Sequence, residues 1–424
     1  MKILDLIKTI DGKLLNIPKD LNAQISSFKL DSRNVSLNDT FIAINNGYLY
    51  IEDAIKAGAI CIVTEKNIRI NSNVCIIKVE KIEDAILKII SSIRDNYKYI
   101  PLIAITGSVG KTTTKELLSH ILKEDYHLLN NDGNKNNYIG IMDTLSKLDS
   151  SYDLIILELG MNHTGEISAL SKAVKPKYAA ITNVGTSHIG NLGSIKNILK
   201  AKMEITDGLL SSLFVSHKSL KNVKYPNINR CKDIKIKHIK ITEHLSFKLK
   251  YHKKIYQINF AIPNKEYIYN ILLAFEIATY FLFDIQYIVD RINSFKPIKS
   301  RMNIININNY KVIDDTYNSS YESLKGAYKY LKRFKRKIVI LGDIKELGTY
   351  NIKIHKKINR LLKGINKNNI LLVGKDTLYI KGKHFKTNEE IISYLKTLNL
   401  NNYNILVKGS RLMHMEDIVE FLRK

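Results

Sequence analysis

Cysteine is scarce in this sequence: three in 424 residues (Cys61, Cys75 and Cys231), with no spacing of a metal site or a disulfide framework. That excludes a disulfide-stapled secreted scaffold and a cysteine-ligated metal domain, and the simplest placement is a reducing cytoplasm. Long apolar runs are missing too. The most apolar stretch, Ile271 to Ile285, contains Glu276 and Asp284, is too short to span a bilayer, and is expected to be one buried helix. The first residues, MKILDLIKTIDGKLL, carry Asp5 inside the apolar part and no small-residue cleavage site, so no signal peptide is expected. No repeat of fixed period is visible. Acidic residues are outnumbered, 40 Asp and Glu against 66 Lys and Arg, for a net charge of +26. The lysines are scattered and no recognition motif accompanies them, so codon bias explains them better than nucleic-acid binding. The densest run, residues 232–254, alternates charge with Ile, Leu and Phe, which predicts a strand pair with one wet face.

What is present is a length that calls for two or three domains, with 45% hydrophobic and 25% charged residues as in soluble globular proteins. Short β-rich runs alternate with helical stretches: PLIAIT (101–106), DLIILELG (153–160), YAAITNVG (178–185), then KVIDD (311–315), KIVILGD (337–343), NILLVG (369–374) and NILVKGS (404–410). That alternation predicts parallel sheets in an α/β protein, whose ligands gather at the carboxyl ends of the strands. The conspicuous polar residues fall there.

The sharpest motif is TGSVGKTT, which follows PLIAIT and opens a helical stretch. Gly107 and Gly110 can take backbone angles closed to other residues and let amides approach phosphate oxygens; Lys111 supplies a cation and Thr112 a hydroxyl for Mg²⁺. The spacing is shorter than the usual phosphate loop, because Ile105 stands five residues before Gly110. A Mg²⁺ held by one threonine needs more donors, and Glu158 and His188 end neighbouring apolar runs. Alone, Glu158 reads as a helix cap and His188 as a surface histidine; with the loop they read as a metal and phosphate site. Lys202, in ILKAKMEI, reads by itself as a solvated helical lysine. In the last third, DDTYNSS (314–320), LGDIKELG (341–348) and KGSR (408–411) close three strands, either as plain turns or as three polar loops around one ligand.

Taken in order, these motifs resemble the Mur ligases. The likeness runs through DSRNV…DTFIAI…AGA, TGSVGKTTTKE, GNKNNYIG, LELGMNHTGEI, ITNVGTSHIGNLGSI, AKMEI, IDDTYNSS, LGDIKELG and VKGSR. LGDIKELG and DDTYN are similar to the branch of the family that adds D-alanyl-D-alanine. The resemblance implies three domains: a small α/β domain for the uridine-diphosphate sugar (1–98), a central ATP-binding parallel sheet of P-loop type (99–297) and a Rossmann-like doubly wound domain (298–424). It implies ATP and Mg²⁺ as cofactors, UDP-N-acetylmuramoyl-tripeptide and D-alanyl-D-alanine as partners, and a monomer with neither nucleic acid nor a membrane span.

The implied roles fall residue by residue. Gly107, Ser108, Val109, Gly110, Lys111, Thr112 and Thr113 would bind ATP phosphates, and Asn270, Arg301 and Asp315 would hold the nucleotide. Thr112, Glu158, His188 and a carbamylated Lys202 would ligate Mg²⁺, with Lys111, Glu158, His188 and Lys202 as the catalytic set. Asp31, Ser32, Arg33, Asn134, Asn136, Asn137 and Asn318 would meet substrate. The sequence also departs from the family pattern. NNGYLY stands where an Asp-Gly-His step is usual, and Pro263-Asn264-Lys265-Glu266 replaces Pro-Gly-x-His. Ser300 replaces a glycine, and Asn318-Ser319-Ser320-Tyr321 replaces Asn-Ala-Asn-Pro. Rival expectations are another ligase of the superfamily (including one that adds glutamate to folate), a basic nucleic-acid-dependent ATPase, and a non-catalytic scaffold.

Overall fold

The structure is a computed structural model that describes residues 1–424 except Lys19, Asn71 and Asn134. Among the described residues the strands form four sheets, and no helix is long and apolar enough to cross a membrane. The chain packs as two compact units, one of residues 1–106, 123–180 and 203–213, the other of residues 107–122, 181–202 and 214–424.

In the first unit a five-stranded sheet runs in the order Lys13–Asn16, Cys75–Lys78, Cys61–Thr64, Thr40–Ile42, Phe28–Lys29, parallel apart from its Lys13–Asn16 edge. Phe41, Ile62 and Ile76 are buried with Ala54 and Ile51 of the following helix. Farther on, Leu102–Thr106 pairs in parallel with Leu154–Glu158, which pairs in parallel with Leu128–Asn130. Every residue of LIAIT and LIILE is buried, as continuous apolar runs require when both faces of a parallel sheet are covered. Tyr178–Ile181 lies on the other side of Leu102–Thr106 in the same sheet. Ile105 lies opposite Glu158, so these two strands end level.

In the second unit a six-stranded sheet has the order Asn303–Ile307, Tyr310–Asp314, Asn404–Lys408, Lys337–Gly342, Ile370–Val373, Lys383–Phe385. The first two strands form an antiparallel hairpin and the rest are parallel. Val312, Ile340, Val407 and Leu371 pack with Ile418 and Leu422 of the last helix and Ile391 and Leu395 of the one before it. This order sets the ends of Tyr310–Asp314, Asn404–Lys408 and Lys337–Gly342 side by side, and with them the three polar loops.

The alternating run of residues 232–254 forms the strand pair expected of it. Ile234–Ile241 and Leu245–Tyr251 are antiparallel, with Leu245, Phe247 and Leu249 buried and Lys237 opposite Lys248 on the wet face. The apolar stretch Ile271 to Ile285 is not one buried helix. Its helix, Tyr267–Ala278, stops early, Phe283 is wholly exposed, and Asp284 caps the next helix by accepting from Gln286 and Tyr287 N–H. A carboxylate at that place starts a new helix, which hydropathy alone does not reveal.

Candidate active site

The phosphate loop belongs to the second unit. Gly107 has φ +152° and Gly110 φ +88°. A Cβ on Gly107 would lie 1.8 Å from Thr182 Oγ1, and one on Gly110 would lie 2.3 Å from Asn270 Nδ2. Both glycines are therefore fixed by backbone angle and by close neighbours. The loop is pinned from below. Ser108 N–H donates to the Asn183 carbonyl at 3.1 Å, Val109 N–H to Asn183 Oδ1 at 2.9 Å, and Gly185 N–H to Ser108 Oγ at 2.9 Å. Thr182 Oγ1 donates to the Val109 carbonyl at 2.6 Å. Lys111 reaches back to the Gly107 carbonyl at 2.9 Å and opens the helix Lys111–Leu122, whose N-terminus favours anions. Thr113 is buried beside the Tyr267 hydroxyl, whose own burial pushes its pKa upward.

Two of the three residues expected on the nucleotide meet this loop, and the third, Asp315, lies with Met302 and Lys408. Asn270 Nδ2 donates to the Gly110 carbonyl at 2.9 Å and to Thr114 Oγ1 at 3.1 Å. Arg301 Nη2 donates to Thr112 Oγ1 at 2.9 Å, and its guanidinium lies 3.9 Å from the centre of the Tyr317 ring. Asp315 accepts from Met302 N–H at 3.2 Å and takes the Lys408 ammonium at 2.6 Å. Burial pushes the Asp315 carboxyl upward, against the downward pull of Lys408 and Arg301. Lys408, itself buried, also donates to the carbonyls of Asp315 and Asn318, so one lysine ties KGSR to DDTYN. LGDIKELG joins them where Ser410 N–H donates to the Asp343 carbonyl and Lys345 N–H to Ser410 Oγ. Asn318 turns its own Oδ1 onto Ser319 N–H at 2.7 Å.

His188 has φ +62°, and its Nδ1 lies 2.8 Å from Glu346 Oε2. The His188 contact and the nearby Lys111 charge hold the Glu346 carboxyl below its ordinary value. Lys202 is 1% exposed, on the helix Ile195–Met203, so the solvated reading of that lysine is wrong. A buried ammonium is retained only where a partner offsets its desolvation.

In the first unit Glu158 is 2% exposed and tightly held. Its Oε1 accepts from Asn136 Nδ2 at 2.8 Å, while its backbone exchanges two hydrogen bonds with the Asn131 side chain at 2.8 and 2.9 Å. A helix cap is therefore not its role. Asn137 does cap a helix, accepting from Gly140 N–H at 3.0 Å at the start of Tyr138–Leu145. Asn134 lies outside the described residues. Asp31 caps the single turn Ser32–Asn34 and pairs with Arg33 at 2.6 Å, which pulls its carboxyl down to about 2. Among the described residues no three His, Cys, Asp or Glu side chains converge as a ready metal cage.

Sequence reading missed Asn131, Thr182, Asn183, Tyr317, Glu346 and Lys408 as contributors. Thr182, Asn183, Tyr317 and Lys408 stand at strand ends inside motifs already noted, a signal that was available. Glu346 likewise lies inside the motif LGDIKELG, whereas nothing local marks Asn131.

A glycine-pinned phosphate loop whose threonine takes an arginine from a doubly wound domain is the arrangement of an ATP-using enzyme of ligase type. The sequence matches the Mur ligase middle domain over residues 105–278. It is 32% identical, over 96% of this chain and 97% of the relative, to UDP-N-acetylmuramoyl-tripeptide–D-alanyl-D-alanine ligase of Rickettsia prowazekii. It is 33% identical, over 94% and 93%, to the ligase of the same name from Buchnera aphidicola subsp. Baizongia pistaciae. The fold superposes on the crystal structure of MurF from Acinetobacter baumannii with a TM-score of 0.90 at 27% identity, covering 100% of this chain and 98% of that one. The chain belongs to the Mur ligase family. Relatives that match it along nearly the whole chain include members that carry the D-alanyl-D-alanine ligase name.

Proposed function

We propose that this enzyme joins D-alanyl-D-alanine to UDP-N-acetylmuramoyl-tripeptide at the expense of ATP, giving the pentapeptide, ADP and phosphate. A carboxylate is a poor acyl donor, so the terminal carboxylate of the tripeptide must first take the γ-phosphoryl group of ATP. The dipeptide amine then attacks the acyl carbon of the mixed anhydride, and phosphate leaves from the tetrahedral intermediate. The observation that carries the reading is the corner where Lys111, Asn270 and Arg301 meet Gly107–Thr114, with Asp315 and Lys408 behind Arg301. Phosphoryl transfer asks for positioned cations and amides more than for covalent chemistry, and this corner supplies them. Ser108, Val109 and Thr113 complete the loop.

Thr112, Glu158, His188 and a carbamylated Lys202 would hold Mg²⁺, which would neutralise charge on the phosphates. The chain's chemistry fits such an ion: Thr112 and Glu158 offer hard oxygens, and His188 has one ring nitrogen on a carboxylate, the usual support for a ligating histidine. Asp31, Ser32 and Arg33 would bind the uridine diphosphate, Asn134, Asn136 and Asn137 the muramoyl side, and Asn318 the incoming dipeptide. Residues 1–98, 99–297 and 298–424 would act as three domains of a cytoplasmic monomer.

Phosphate release from ATP tests the reading directly. Release should require both the tripeptide nucleotide and D-alanyl-D-alanine and yield the pentapeptide by mass. Release driven instead by another amine, or by folate with glutamate, would overturn the substrate assignment.

A further inference from the structure

Within the second unit the segment His188–Gly193 and the loop Asp343–Tyr350 form a built junction that none of the expected roles explains. Gly190 N–H donates to the Glu346 carbonyl at 3.0 Å, and the Tyr350 hydroxyl donates to the Gly193 carbonyl at 2.6 Å. Between these bonds the two backbones touch. A Cβ on Gly190 would lie 2.5 Å from Gly348 N, and one on Gly348 would lie 2.8 Å from Gly190 Cα. Both glycines are required by the approach alone. His188 and Glu346 are both non-glycine residues in the left-handed region, at φ +62° and +64°, and they face each other across the junction with Nδ1 and Oε2 2.8 Å apart. Backbone strain on two facing residues persists only where the surroundings hold it, and such residues cluster at functional sites.

We infer that Glu346 is a positioning residue for the ligation: it fixes the His188 ring and fastens the LGDIKELG loop to the segment that follows the phosphate-loop strands. The inference rests on the proposed function, which gives His188 a role beside the phosphates as one of the groups that would hold Mg²⁺. Glu346 touches neither reacting group in this assignment and acts through His188. Its carboxylate sets which nitrogen of the ring faces away from the loop, and its carbonyl sets the distance of the loop from Gly190. Asp343 and Lys345, on the same loop, then keep a fixed place relative to Lys111. The junction thus gives the enzyme a way to complete its phosphate side only when the last domain's loop is seated.

The test uses Glu346→Ala, Glu346→Gln and the parent, as full-length protein. Hydrogen exchange is read first, without nucleotide or substrate. Glu346→Ala should speed exchange of the amides at 188–193 and 343–350 at least about tenfold and leave the rest of the chain unchanged. Glu346→Gln, which keeps a hydrogen-bonding group, should fall between. Steady-state turnover, with whichever acceptor the parent enzyme uses, should then show kcat lowered roughly 10- to 100-fold in Glu346→Ala, with partial recovery in Glu346→Gln. The KM for ATP should move less than about threefold. Unchanged exchange at 188–193, or a kcat loss that only tracks a loss of folded protein, would overturn the inference. Exchange needs no substrate, so a parent inactive with D-alanyl-D-alanine would count against the proposed function and leave this result standing.

Discussion

The phosphate corner and the positions where the chain departs from its family are built differently. At Gly107–Thr114 residues answer to neighbours: a Cβ on either glycine would come within 1.8 or 2.3 Å of Thr182 or Asn270, and amides are pinned by Asn183. The replacements elsewhere answer mostly to themselves. Asn264 is buried and accepts from Glu266 N–H at 3.1 Å, two residues on. Ser320 accepts from Ser323 N–H at 3.2 Å and caps the helix Tyr321–Leu331. Ser300 keeps a left-handed φ of +61°, the angle its glycine predecessor would have supplied, and donates to Asp314 at 3.3 Å. The contrast teaches where substitution is tolerated. A site held by other segments has no freedom, while a turn that satisfies its own hydrogen bonds can change residue and keep its shape.

The sharpest way to break that contrast is Lys111→Ala, which should lower turnover by about three orders of magnitude, as loss of a group that stabilises transferring charge does. Its thermal melt should match the parent; near-parent turnover would remove Lys111 from the mechanism. Lys408→Met comes next, since it strands the buried Asp315 carboxylate without its ammonium. Breaking a buried pair from one side costs about 3–5 kcal/mol, which urea unfolding would register as a large fall in stability. At the substituted positions the effects should be small. Ser320→Ala should cost about 1 kcal/mol through the lost cap, read by the same unfolding curves. Ser300→Gly should gain roughly 0.5–1 kcal/mol, because glycine takes φ +61° without strain, and a loss there would show that the Asp314 contact outweighs the backbone.

The smallest effect concerns Asp31. Its carboxyl should titrate at about 2 by NMR, and Arg33→Gln should return it toward 3.8. The pair's stabilisation is complete above the unfolded value and disappears as pH falls through about 2, and since both groups face water it should be slight.

The sheets and the phosphate loop were legible because both are local. LIAIT and LIILE announce buried parallel strands by composition, and TGSVGKTT announces a strand-to-helix turn by its glycines. The family resemblance added roles that spacing alone could not supply. What stayed hidden depends on distant partners. Arg301 meets Thr112 across 189 positions, and Glu346 meets His188 from a loop on another sheet. Lys202 read as solvated because helical spacing says nothing about which face a neighbouring segment covers. The run at 271–285 read as one helix because composition hides both the stop at Ala278 and the new start, which Asp284 marks by bonding two amides. Asn131 carries no local mark at all, since its importance lies in gripping both backbone groups of Glu158.

The central claim is that the gripped phosphate is moved onto the tripeptide's own carboxylate. Labelling that terminal carboxylate with ¹⁸O and analysing the released phosphate by mass tests it most directly. One labelled oxygen should appear in the phosphate for each pentapeptide formed, because the carboxylate oxygen that attacks the γ-phosphorus leaves with it. Pentapeptide made with unlabelled phosphate would contradict the account.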